Sequence, residues 1–238
     1  MPSASAPKKA WELVVEWVEE RILGGEYSVG SQLPAERDLA QQVGVSRSAV
    51  REAVRTLEAS GVLRSSVGAG AAGGTRITGV PHTALTRLLR LHVALASFPA
   101  DDVTEVRVAL ERLSTRLAGR QASVEDVALM RELVDAMDDD ALTMAEFNNL
   151  DTRLHVAIAE AAGNRLASDL TIAIRESMRQ PILAGLAALD DWAATRSVLR
   201  AQHRAVVGAI EQRDPDTAVA LIEEHIRTAY ARMTTLHP

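Results

Sequence analysis

Cysteine is absent from the chain. Its absence excludes disulfides, thiolate catalysis, iron–sulfur clusters and zinc fingers, and it fits the cytoplasmic location that we expect. Aromatic residues make up only 3% of the sequence, which disfavours the base-stacking platforms of RNA-binding proteins. No run of about 18 apolar residues occurs, so we expect no transmembrane helix and no membrane partner.

The charge is acidic overall but unevenly distributed. The 238 residues carry a net charge of −6, and 47% of them are hydrophobic, enough for a substantial core. Residues 1–80 hold nine basic and nine acidic residues, and no acidic residue occurs between Glu58 and Asp101. Because salt screens charges over about 10 Å, a locally basic surface on an acidic protein can still bind phosphates.

The chain divides near residue 80. Five glycines fall between residues 68 and 79, and Pro81 follows them. Glycine and proline are the strongest local breakers of regular structure. We therefore predict two domains, over residues 1–80 and 81–238.

The first domain has the pattern of a winged helix-turn-helix. An apolar stripe from Trp11 to Ile22 predicts one helix, Pro34 suits the start of a second, and Ser46 can cap a third after a turn at Gly44. Two short β-like stretches follow around a glycine-rich tip. A small helical domain with a hairpin of no special function is the alternative.

The third predicted helix favours DNA binding. Arg47, Arg51 and Arg55 recur every four residues beside Ser48, away from an apolar face. A recognition helix needs outward donors and an apolar back, and arginine can contact guanine edges or phosphates. A row of solvated arginines without a ligand is the alternative interpretation.

The second domain is predicted to be entirely helical, so the whole chain is mainly α. Apolar periodicity at helical spacing continues with few breakers. We predict seven helices, at about 82–97, 100–119, 123–138, 143–162, 164–188, 191–212 and 215–235.

Three histidines and one aspartate lie on apolar stripes of three predicted helices: Asp151, His155, His203 and His225. Asp151 precedes His155 by one turn, close enough for both to bind one ion. An ionised aspartate is costly to bury without a partner. These residues suggest a divalent metal in the bundle core, with zinc favoured and nickel, manganese or iron also suitable. Three separate hydrogen-bonded core histidines are the alternative.

Two arginines accompany this set. Arg107 lies at the edge of an apolar stripe, where it can either hold an anionic ligand or pair with Glu111 one turn later. Arg175, beside Ile174 and Met178, is a second candidate for contacting an effector.

The first domain resembles the GntR family of bacterial transcription regulators. The resemblance rests on Leu33-Pro34-Ala35-Glu36-Arg37-Asp38-Leu39-Ala40, Gly44-Val45-Ser46-Arg47, Val50-Arg51-Glu52-Ala53 and Leu57-Glu58-Ala59-Ser60-Gly61. It implies binding to double-stranded operator DNA, by residues that match the family's contacts: Arg37, Ser46, Arg47, Ser48, Arg51 and Gly68.

The second domain resembles the FCD ligand-binding domain of the FadR subfamily. A D-x-x-x-H motif at Asp151 and His155 and one histidine on each of the last two helices carry this resemblance. It implies that a metal holds the carboxylate of an organic-acid effector. The segments 67–78, 137–155 and 188–205 further resemble actinobacterial lactate-utilisation repressors of the LldR type, which bind DNA as dimers and release it on L-lactate.

From these resemblances we expect a homodimeric repressor, not an enzyme, that releases a palindromic operator when a small carboxylate binds. Three alternatives stay open. The effector can be another organic or sugar acid. The metal site can belong to an enzyme that activates water. The protein can also be an architectural DNA-binding protein with a structural metal.

Overall fold

The computed structural model describes residues 8–66, 74–79, 81–95 and 97–233. Within these ranges the chain forms ten helices and one two-stranded sheet, in two compact units that meet between Ala84 and Leu85. The elements are α1 (Ala10–Leu23), α2 (Glu36–Val43), α3 (Arg47–Ala59), β1 (Leu63–Ser66), β2 (Gly74–Ile77), α4 (Pro81–Ala94), α5 (Ala100–Gln121), α6 (Val124–Ala136), α7 (Met144–Ala161), α8 (Arg165–Ala187), α9 (Trp192–Glu211) and α10 (Pro215–Arg232).

The turn between α2 and α3 depends on glycine. Gly44 has a φ of 75°, in the left-handed region, and its N–H donates to the carbonyl of Ala40. Ser46 then caps α3 by accepting a hydrogen bond from the N–H of Ala49. A Cβ atom disfavours the left-handed conformation, so glycine, which lacks one, is the residue suited to end α2 and turn the chain toward α3. The helix-turn-helix expected from the sequence is confirmed.

The core of this unit lies behind α3. Ala49, Val50, Ala53 and Leu57 are buried, and Val54 is partly buried. They pack against α1 and α2, while β1 and β2 pair antiparallel with Leu63 opposite Ile77 and Ser66 opposite Gly74. The two strands expected on either side of the glycine-rich tip are confirmed. Gly68, expected to contact DNA, lies outside the described residues.

The second unit is a helical bundle arranged around α5. Helix α5 contacts α7, α8, α9 and α10, while α6 packs against α7 and α9. One continuous apolar core connects these helices, with Met130, Phe147, Leu154, Val206 and Ile222 among its buried members. The predicted all-α architecture is confirmed. In the described part of the chain no helix is long and apolar enough to cross a membrane.

Helix ends follow local capping chemistry. Ser123, Thr143, Asn164 and Asp214 each accept a hydrogen bond from the backbone N–H three residues later. Asp191 caps α9 in the same way. Asp101 lies inside the first turn of α5, which begins after Pro99. A carboxylate there still interacts favourably with the helix dipole. Helix α8 continues through Pro181 as one element.

Gly44→Ala should destabilise the helix-turn-helix by about 1 kcal/mol, because a Cβ disfavours the left-handed conformation. Hydrogen-exchange mass spectrometry should show protection of α2 and α3 falling about fivefold. Gly44→Asn is the matched control and should lose less, since asparagine tolerates this conformation. Equal protection in the alanine variant and the wild type would contradict the role given to Gly44.

Candidate metal centre and DNA-binding surface

Four donor atoms from three helices converge in the core of the second unit. Asp151 and His155 lie one turn apart on α7, His203 on α9 and His225 on α10, and all four are buried. Their ligand atoms lie within 4.8 Å of one another. The structure therefore brings together all four residues that the sequence singles out for metal binding.

The distances suit a small metal ion. The Nε2 atom of His225 lies 3.3 Å from Nε2 of His155 and 3.2 Å from Nε2 of His203. Oδ1 of Asp151 lies 2.9 Å, 3.5 Å and 3.8 Å from Nε2 of His203, His155 and His225. Metal–nitrogen bonds of about 2.0–2.1 Å place the corners of a tetrahedral site about 3.3 Å apart. The donor set and its spacing could thus hold one divalent ion.

Burial and charge set the protonation that metal binding requires. Burial lowers the pKa of His203 and, together with the neighbouring histidines, holds the pKa of His225 well below its usual range. Burial opposes ionisation of Asp151, but Arg175 and His155 outweigh it and keep that pKa well below its ordinary value. Neutral imidazoles and an ionised carboxylate are the forms that ligate metals.

Outer contacts orient two of the imidazoles. Nδ1 of His155 is hydrogen-bonded to the carboxylate of Glu111, and Nδ1 of His225 lies 3.3 Å from Oε1 of Gln202. Nε of Arg107 donates to Glu111 over 2.6 Å. Burial raises the pKa of Glu111, but His155 and Arg107 reverse the shift and keep it low. A carboxylate on Nδ1 leaves Nε2 of His155 with a free lone pair for an ion.

Sequence reasoning missed Glu111 as a partner of this cluster. The sequence suggests Glu111 only as an ion-pair partner for Arg107, and the structure contains that pair. The available signal was an ionisable residue at a buried helical position, since Glu111 is 3% exposed. Such a residue needs a partner from another helix, here His155.

Arg175 binds the other face of the aspartate. Its Nη2 donates to Oδ2 of Asp151, and lies 3.4 Å from Oγ1 of Thr152. The side chain is 1% exposed, yet its Nε and Nη1 have no hydrogen-bond partner among the described residues. Arg175 and Arg107 both line a narrow cavity of about 20 Å³ beside Asp151 and His225. The two arginines expected near an effector therefore lie at one cavity.

The apolar remainder of that cavity comes from α8, α9 and α10. Ile182, Leu186, Leu199, Ala229 and Met233 line it. Phe147 completes the wall and packs edge-on against Trp192, with their ring centroids 5.2 Å apart. The cavity thus has one charged side and one apolar side, as binding sites for small ligands usually do.

In the first unit, two of the expected DNA-contacting arginines converge on one acid. Nε of Arg51 donates to both carboxylate oxygens of Glu36, over 2.8 Å and 3.1 Å, and Nη2 of Arg47 lies 3.5 Å from Oε2. Both arginine side chains are more than half exposed. Glu36 is a second residue that sequence reasoning missed as part of this surface, although it stands within the quoted motif.

The other expected contacts lie nearby in sequence but are bonded differently. Arg37 pairs with its neighbour Asp38 over 3.3 Å and does not join Glu36. The hydroxyls of Ser46 and Ser48 lie 2.8 Å apart at the exposed N-terminus of α3. Backbone N–H groups and hydroxyls at such a terminus are suited to bind a phosphate.

Comparisons with known proteins agree with both units. Residues 102–228 match the family described as "FCD domain", and residues 12–72 match "Bacterial regulatory proteins, gntR family". The "Glc operon transcriptional activator" of Escherichia coli strain K12 is 26% identical over 91% of this chain and 86% of its own. The "HTH-type transcriptional repressor NanR" of Cronobacter sakazakii is 28% identical over 97% of this chain and 88% of its own.

A solved structure supports the same assignment. The Streptococcus agalactiae GntR structure is 26% identical, covers 93% of this chain and 98% of its own, and has a TM-score of 0.62. The matched families and relatives are transcription regulators rather than enzymes. The chain thus belongs to the FCD-domain family, and it is a GntR-type DNA-binding transcriptional regulator that carries an FCD effector-binding domain.

Proposed function

We propose that this regulator is a homodimeric repressor that leaves its operator when a small organic acid, L-lactate in the first instance, binds beside a metal ion. The observation that carries the proposal is the cavity next to Asp151. It places an arginine with two unpartnered donors against the four-residue cluster that could hold the ion.

The proposed operator contacts are Arg37, Ser46, Arg47, Ser48, Arg51 and Gly68. Arg51 bonds to Glu36 through its Nε, and its side chain is more than half exposed. Two terminal N–H donors match the O6 and N7 acceptors of guanine in the major groove. Nη2 of Arg47 lies near the same carboxylate, so Glu36 keeps both guanidinium groups on one face of α3.

The proposed metal ligands are Asp151, His155, His203 and His225. Three imidazole nitrogens and one carboxylate oxygen suit zinc, and also nickel, manganese or iron. When bound, the ion supplies positive charge and an open position for a ligand oxygen.

Charge around the cavity favours an anion. Arg107 and Arg175 balance Glu111 and Asp151, so a divalent ion makes the site positive by two charges. Nε and Nη1 of Arg175 are charged donors without a partner among the described residues, and a carboxylate oxygen can accept from either. L-lactate is proposed first because segments 67–78, 137–155 and 188–205 resemble lactate-responsive repressors.

The homodimer is supported by an apolar stripe on α4. Leu88, Leu91 and Leu95 are spaced as neighbours on one helical face and are each more than half exposed. Exposed apolar surface of this kind is typical of an interaction site. A second copy of the chain is the proposed partner, because an operator palindrome pairs with a two-fold symmetric protein.

Arg51→Ala should weaken binding to the gene's own upstream DNA about 5- to 150-fold, because a bidentate base contact contributes about 1–3 kcal/mol. Fluorescence anisotropy measures the affinity, and sedimentation should find two chains per duplex. Arg120→Ala is the matched control and should bind like the wild type, since Arg120 is an exposed arginine near the end of α5. Equal affinity of both variants would refute the proposed DNA-binding surface.

His203→Ala should lower the affinity for zinc by more than about 100-fold, because even outer-sphere partners of metal sites contribute 10–100-fold. Competition with a chelating dye measures this affinity, and the wild type should bind one ion per chain. His92→Ala is the control, since His92 is a half-buried histidine of α4 that is not part of the cluster and whose Nδ1 lies 3.2 Å from the hydroxyl of Ser97. A variant that binds zinc as tightly as the wild type contradicts the ligand set.

L-lactate at millimolar concentration should release the zinc-loaded wild type from its upstream DNA, measured by anisotropy. The effector can shift binding only by its differential affinity, so a 100-fold release needs about 2.7 kcal/mol. The His203→Ala protein should bind DNA and ignore lactate. Binding that lactate strengthens would overturn the repressor mechanism, and binding unaffected by lactate would overturn the choice of effector.

A further inference from the structure

Asn148 presents an unsatisfied acceptor next to the metal cluster. Its Nδ2 donates to the backbone carbonyl of Arg179 over 3.0 Å. A carbonyl can only accept, so this bond requires the amide nitrogen to face Arg179 and the amide oxygen to face the other way. That oxygen, Oδ1, is buried and has no hydrogen-bond partner among the described residues, while the residue is 2% exposed.

Asn148, which carries this acceptor, is one of the residues that line the proposed effector cavity. It precedes Asp151 by three residues and His155 by seven, on one face of α7. It lines the cavity together with Asp151, Arg175 and His225. One lining residue therefore offers a hydrogen-bond acceptor, while Arg175 offers the two unpartnered donors described above.

A ligand that satisfies both residues needs two different groups. A carboxylate can accept from Nε or Nη1 of Arg175, but it cannot bond to the amide oxygen, which also only accepts. A hydroxyl group carries the missing proton. Leaving a buried acceptor unpaired is costly, so this oxygen discriminates strongly against ligands without a donor.

We propose that Asn148 is the residue that makes this regulator select 2-hydroxy acids over 2-oxo acids and unsubstituted acids. Its Oδ1 accepts the proton of the hydroxyl, while Arg175 holds the carboxylate. The inference rests on the proposed function, namely that an organic acid binds in this cavity.

Two features narrow the ligand further. A 2-amino acid also carries donors, but its ammonium would face Arg107, Arg175 and the proposed ion, so the neutral hydroxyl is favoured. The cavity of about 20 Å³ is narrow, and Ile182 and Leu186 form part of its apolar wall. Acids with two or three carbons are the class that fits with the least displacement.

Isothermal titration calorimetry on the zinc-loaded full chain tests the selection with acids of equal carbon number. L-lactate is compared with pyruvate and propionate, and glycolate with acetate. The wild type should bind each hydroxy acid about 10- to 100-fold more tightly than its partner without the hydroxyl, the range expected for one unpaired buried acceptor. This ranking needs no variant.

Asn148→Leu removes the acceptor and keeps the volume of the side chain. Its preference for hydroxy acids should fall to within about threefold, through weaker lactate and glycolate binding. Thr171→Val is the matched control. Thr171, on α8, is buried like Asn148 and has an unpartnered hydroxyl among the described residues, but it is not one of the residues that line the cavity. The control should keep the wild-type ranking.

The outcomes distinguish a failure of the role proposed for Asn148 from a failure of the proposed organic-acid effector. Pyruvate or propionate binding the wild type as tightly as lactate overturns the role of Asn148, while an organic-acid effector stands. An unchanged ranking in a folded Asn148→Leu protein overturns that role as well. If none of the five acids binds, the proposed effector class fails and the inference fails with it.

Discussion

The second unit depends on pairing buried charges. Asp151 and Glu111 are carboxylates in an apolar bundle, and each is bonded to a buried arginine. Removing either arginine would leave an uncompensated charge in a low-dielectric interior, which costs several kcal/mol. Arg175 joins α8 to Asp151 of α7, and Glu111, paired with Arg107 on its own helix, joins α5 to α7 through its bond to His155. The resulting register of these helices is what brings the histidines of α9 and α10 onto Asp151.

Three of the four residues in the cluster have one polar atom directed to the centre and another bonded elsewhere: Asp151, His155 and His225. Asp151 uses Oδ1 inward and Oδ2 toward Arg175, and His155 uses Nε2 inward and Nδ1 toward Glu111. The outward bonds choose the tautomer and aim the inward lone pair. His203 differs, since its Nδ1 is buried without a partner among the described residues. Its orientation rests on packing against Phe147, whose ring centroid lies 6.3 Å away.

The sequence alone predicts the helices and the four-residue cluster, because both follow from spacing along the chain. Asp151 and His155 share a face by helical periodicity, and His203 and His225 lie on apolar stripes that must turn inward. Glu111 and Asn148 are different. Their partners come from other helices, Glu111 contacting His155 and Asn148 contacting Arg179, so their roles depend on a register that periodicity does not specify. Helical periodicity does not predict the contact of Glu36 for the same reason, since Glu36 lies on α2 and its partner Arg51 lies on α3, across a turn.

The size of the cavity indicates which wall residues a bound organic acid would have to displace. A volume of about 20 Å³ holds little more than one water molecule, so any organic acid has to displace wall atoms. The polar wall is fixed by directional bonds through Asp151, Arg175 and Asn148. In the apolar wall, Met233 packs closely against Gly185 through van der Waals contact. A Cβ atom added to Gly185 would lie only 2.9 Å from Cβ of Met233. Non-directional contacts give way more readily than ion pairs, so ligand entry favours arrangements in which α8 and the end of α10 separate. Only such a difference between bound and free arrangements lets an effector shift a population.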